Sequence, residues 1–124
     1  VDEERRAGTK QSWQNTAQRE AQMIDHYIAA VERGMALLDE KRPGWLEHVD
    51  LATLDLRKPC DCVLGQEFGG YKAGVKVLDL YVEPPEAYGF DIDASTATSF
   101  RVEYALLTRA WRRAIRVRLE ADRS

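Results

Sequence analysis

The 124-residue sequence predicts an all-α fold: a small helical bundle with two long terminal helices packed around a short helix-turn-helix-like pair, and an irregular Pro-rich loop. Three observations predict it. Apolar residues recur every three or four positions over 12–40, the spacing of one face of an α-helix. The same period returns over 99–119. Between them a Gly69-Gly70 pair divides two short helical patterns that would not persist alone in water.

Length suits one domain over 12–121, with a charged mobile arm at 1–11 and a tail at 122–124. The arm, VDEERRAGTK at its start, has no apolar periodicity. Hydrophobic content of 44% and charged content of 31% are those of a globular chain able to bury a core. No run approaches the ~18 apolar residues of a membrane span, and no apolar signal core stands near Val1, so a cytoplasmic protein without a membrane role is expected.

In the first helix, Trp13, Ala17, Ile24, Ile28, Val31, Met35 and Leu38 form the stripe, with Ala21 filling its gap. The half around SWQNTAQREAQ is more polar, and a bend near Glu20 would suit it. Trp13, Ala17 and Ile24 are candidates for a partner or homodimer contact, because an aromatic on a polar helical arm is a natural anchor. Lys41-Arg-Pro-Gly stops the helix, and Trp45 is expected to fold back over Leu38 and Val49. Asp50 should cap a turn that points Leu51, Leu54 and Leu56 inward.

Pro59 marks a boundary, Asp61 is the expected N-cap of a helix over 62–68, and Gly69 its C-terminal stop. Tyr71, Val75 and Leu78 then share a face. Gln66 is expected to satisfy backbone groups at the glycine turn. Tyr81 to Asp93 reads as a loop, with a short β-like pairing through Tyr88, Phe90 and Ile92 as one option, and Asp91 and Asp93 as solvated acids. Ser95, Thr96, Thr98 and Ser99 offer caps for the last helix, Ser99 the favoured one. Its stripe is Phe100, Tyr104, Leu107, Trp111 and Ile115, with Glu103 placed for the helix dipole.

Asp55-Leu56, Cys62-Val-Leu-Gly-Gln66, Phe68-Gly69, Tyr71, Gly74, Leu78 and Tyr88-Gly-Phe90 make a pattern, continued by Tyr104, Leu107, Trp111 and Ile115. It resembles small, mostly uncharacterised proteins of actinobacteria and their phages, over roughly residues 31–120. The resemblance implies an accessory role, possessing no catalytic residues that transfer to this chain.

Function is weighed among three classes. Residues 95–124 hold seven arginines against Glu103, Glu120 and Asp122, a local charge of +4 within a chain of net charge -3. Arg109, Arg112, Arg113 and Arg116 share one broad helix face, suited to an acidic protein partner or to nucleic-acid phosphates. No nucleic-acid motif accompanies them, and the helix after Gly70 lacks side chains suited to reading base edges. Cys60 and Cys62, with His48 or His26 as a third ligand and an acid as a fourth, could bind zinc, although one intervening residue is tighter than common zinc knuckles. The same spacing disfavours a disulfide. The sequence therefore favours a non-enzymatic interaction or regulatory protein acting through a protein partner or homodimer. Nucleic acid is the alternative and a zinc-stabilised domain the third reading; no cofactor and no small-molecule substrate are indicated.

Overall fold

The computed structural model describes residue 22, residues 24–94 and residues 99–123. The expectations for the arm, for Trp13 and Ala17, for a bend near Glu20 and for caps at Ser95, Thr96 and Thr98 lie outside those residues. The fold is all-α, and no strand occurs among the described residues. Helix α1 runs over 24–41, α2 over Trp45–His48, α3 over Val63–Phe68 and α4 over Tyr71–Val77. A 3-10 turn covers Pro85–Tyr88, and α5 covers Phe100–Arg123. No described helix is long and apolar enough to cross a membrane.

The two long helices run parallel. Tyr27 meets Glu103, Gly34 meets Trp111 and Asp39 meets Arg118, in the same order along both helices. A parallel pair needs a return path, and residues 42–94 form its described part as short helices and turns. The Tyr27, Val31, Met35 and Leu38 side of α1 is buried against them, as its period requires.

Trp111 sits at the centre of the core. Its indole N–H donates to the Gly89 carbonyl. Its ring stacks on Phe90 at 5.6 Å between centroids and meets the edge of Trp45 at 6.2 Å. Such offset and edge-on pairs add to the burial energy of the rings. Trp45 does fold back, as part of α2, and its indole N–H donates to Asp39 Oδ1 at 2.8 Å. Ile92 and Phe90 are buried without any β pairing, which corrects that option.

Several local expectations change. Cys62, not Asp61, caps α3: its Sγ accepts from the Gly65 N–H at 3.2 Å. Asp61 is held one residue earlier by its own N–H, which donates to Lys58 O. Gly69 enters the left-handed region at φ 84, as the stop required. On α5, Phe100 is exposed rather than inward, while Glu103, Leu106 and Ala110 join Leu107, Trp111 and Ile115 in the buried stripe. Ser99 caps the helix through its Oγ, which accepts from Val102 N–H at 3.4 Å.

Gln66 ties loops to α3. Its amide N–H groups donate to Asp50 O at 3.2 Å and Asp61 O at 2.9 Å, and its Oε1 accepts from Asp50 N–H at 2.6 Å. It satisfies backbone groups, as expected, but in the 50 and 61 turns rather than at Gly69-Gly70.

Candidate partner-binding groove

The arginine face of α5 is not one surface. Arg112 turns inward, half-buried, and its Nη2 donates to Leu54 O at 3.0 Å. Its Nε is buried without a partner among the described residues. Arg112 therefore braces the Leu54 turn, which corrects its placement on a free basic face. Arg118 is also engaged: Nη1 lies 2.9 Å from both carboxylate oxygens of Asp39. Arg109, Arg113 and Arg116 remain exposed, with no ion pair or hydrogen bond among the described residues. Their spacing of four and three keeps them in one row.

Beside that row, between α1 and α5, lie two adjoining clefts of about 390 and 480 Å³. Both are lined by Ile28, Ala110, Arg113 and Val117. The first adds Ile24, Arg109, Arg112, Arg116 and Glu120; the second adds Glu32, Met35, Ala114, Arg118 and Ala121. Ile24 and Ile28 are half-buried, and Val117 is 58% exposed. The result is one groove with an apolar floor and a cationic wall. Ile24, expected as a partner contact, lies on that floor.

On the opposite side of Arg112, a cleft of about 600 Å³ is lined by Asp55, Lys58, Asp61, Thr108 and Arg109 among others. Two acids, Asp55 and Asp61, stand there against three bases, Lys58, Arg109 and Arg112, so its charges are mixed and largely offset one another. The other large exposed apolar side chains among the described residues, Val77 at the end of α4, Tyr81 and Val82 after it, and Phe100 and Val102 at the start of α5, line none of these clefts.

The zinc set does not assemble. Cys62 is buried, its Sγ held by Gly65 N–H and near Pro59 O, and burial pushes its thiol pKa up. Cys60 is exposed, and His48 Nδ1 pairs with Glu67 Oε2 at 2.8 Å. No group of three or more His, Cys, Asp or Glu suited to a metal occurs among the described residues.

The sequence missed a set of buried and half-buried tyrosine–carboxylate bonds. Asp91, expected as a solvated acid, accepts from Tyr71 OH at 3.0 Å and from Tyr104 OH at 2.8 Å. Glu103, expected only to favour the dipole, is buried and accepts from Tyr27 OH at 2.7 Å. Burial, followed by the hydrogen bond to Asp91, pushes the Tyr104 phenol up to about 12. Tyr71 and Tyr27 rise further, again chiefly by burial. These are neutral phenols that donate to carboxylates, an arrangement that holds α1, α4, α5 and the 91 turn together. Tyrosines at 27, 71 and 104 carried no common sequence signal, since each belongs to a different element.

Comparison of the chain with protein-family models, with curated proteins and with solved structures gives no match.

Proposed function

We propose that this chain is a non-enzymatic interaction protein whose protein partner seats in the groove between α1 and α5. One observation carries the reading: three arginines, exposed and without an ion pair among the described residues, stand in a row beside an apolar floor that includes the exposed Val117. An exposed apolar patch rimmed by charge is the usual surface for recognising another protein. The tyrosine–carboxylate bonds support the non-enzymatic side, because their phenols are spent on Asp91 and Glu103. An accessory or regulatory role in an actinobacterium or its phage follows from the motif resemblance. A cytoplasmic setting suits a chain whose two cysteines are free.

The test is a photo-crosslinking residue at Val117, with a second at Lys72 on α4 as control. A protein captured through Val117, and displaced by excess native protein but not by Val117→Glu protein, supports the groove. Capture through both positions alike, or through neither, counts against it.

The arginine row also favours a second reading, nucleic-acid binding through Arg109, Arg113 and Arg116. It predicts fluorescence anisotropy with duplex DNA that weakens steeply with salt and disappears in Arg113→Glu/Arg116→Glu. Arg112, bonded to Leu54 O, is not a member of that row.

A further inference from the structure

The lining of the groove specifies the chemistry of what would fill it. Its floor is Ile24, Ile28, Ala114 and Val117. Along one wall Arg109, Arg113 and Arg116 span about 10 Å of α5, at 1.5 Å per residue. The wall's counter-charges, Glu32 and Glu120, stand at the margins. From Arg109 to Ala121 the groove is about 18 Å long, which is a little over three helical turns.

Resting on the groove as the partner site, we propose that its occupant is an acidic amphipathic helix of about three turns. Apolar anchors at i, i+4 and i+7 of that helix cover the floor. Glu or Asp side chains flanking them meet Arg109, Arg113 and Arg116. Neither component suffices alone: the apolar stripe supplies burial, and the carboxylate row sets orientation and rejects other helices.

Charge and shape set this occupant apart from two others. A nucleic-acid backbone would use the arginine row and leave the apolar floor uncovered. A second copy of this chain, docked groove to groove about a twofold axis, would bring two arginine rows into one interface, where like charges oppose association.

The test uses labelled helical peptides of about 16 residues, long enough to overhang three turns at each end. One carries the apolar stripe flanked by glutamates. Two others keep the stripe but replace the glutamates with glutamine or with lysine. A fourth keeps the glutamates and scrambles the stripe. Duplex DNA is the fifth ligand, and binding is read by fluorescence anisotropy with circular dichroism confirming that each protein variant is folded.

The acidic amphipathic peptide should bind, the glutamine and scrambled peptides about tenfold or more weakly, and the lysine peptide not measurably. Val117→Glu and Arg113→Glu/Arg116→Glu should each weaken the acidic peptide by about tenfold or more, and added salt should weaken it further. Glutamine or lysine peptides binding as tightly as the acidic one, with Val117→Glu still abolishing binding, would overturn the acidic occupant and leave the groove reading standing. Failure of the acidic peptide to bind at up to about 1 mM would also overturn it. DNA binding tighter than any peptide and indifferent to Val117→Glu would overturn both.

Discussion

The Tyr27 hydroxyl donates a 2.7 Å hydrogen bond to Glu103 across 76 residues of sequence, inside the core where α1 meets α5. The second oxygen of that carboxylate, Oε2, is buried without a partner among the described residues. Buried polar groups cost most when a partner is removed from only one side. Tyr27→Phe should therefore lower stability by about 1–3 kcal/mol, because the ring still packs while the carboxylate loses its donor. Tyr27→Phe combined with Glu103→Leu should recover part of that loss. Urea denaturation of the two variants against the native chain checks this.

Alkaline pH should loosen the molecule only above the pH at which an ordinary exposed phenol ionises. Tyr104 is held protonated up to about 12, and Tyr71 higher still, against an ordinary value near 10. A raised pKa in the folded state means the unfolded chain releases its protons first. The stabilisation is complete below pH 10 and is lost as pH climbs from there through about 12. The denaturation midpoint should be flat up to pH 10 and fall above it. Tyr71→Phe and Tyr104→Phe should each flatten that fall, while phenolate absorbance shows the late titration directly.

At Gly34, α1 packs directly against Tyr88 and Trp111. A Cβ there would lie 2.1 Å from Tyr88 O and 3.1 Å from the Trp111 ring. Backbone cannot give way as a flexible side chain does, so Gly34→Ala should cost about 1–3 kcal/mol or more by overpacking. Gly70 is the control. Nothing lies within 4 Å of its Cβ position and its φ of 171 is extended, so Gly70→Ala should change stability by less than about 0.5 kcal/mol. Thermal melts of the two variants separate the cases.

Gln66 holds the Asp50 and Asp61 backbones to α3 with both ends of its amide. Gln66→Ala should cost about 1–3 kcal/mol, chiefly by leaving those backbone groups unpaired. Gln66→Glu should not rescue it, since a carboxylate has no N–H to give the two carbonyls. Hydrogen exchange of the Asp50 amide, which donates to Gln66 Oε1, should speed up in Gln66→Ala.

The two cysteines should behave differently. Cys60 is exposed, and Cys60→Ser should shift the denaturation midpoint little. Cys62→Ala removes the sulfur that caps α3 at Gly65 and should cost about 1–2 kcal/mol. A zinc chelator should leave the melting temperature unchanged; a large drop would restore the metal reading.

The sequence by itself determined the long helices and the α3–α4 pair, because helical period, the Pro-Gly and Gly-Gly stops and the Ser99 cap are local signals, whereas α2 and the 3-10 turn over Pro85–Tyr88 were not legible. Val31, Met35, Leu38, Leu107, Trp111 and Ile115 were legible as inward residues from spacing alone, and all are buried. Gln66 was legible as a group that would satisfy backbone, though not which backbone. The arginine row was legible as a basic face, but only tertiary structure subtracted Arg112 from it by placing Leu54 O within reach. Tertiary structure alone also decided that α1 and α5 run parallel, since periodicity is the same in either direction. Asp91 and Glu103 were misread for the same reason: whether a carboxylate is solvated depends on tyrosines that arrive from distant elements. The groove is likewise lined by residues of both α1 and α5, and no single stretch of sequence encodes the space between them.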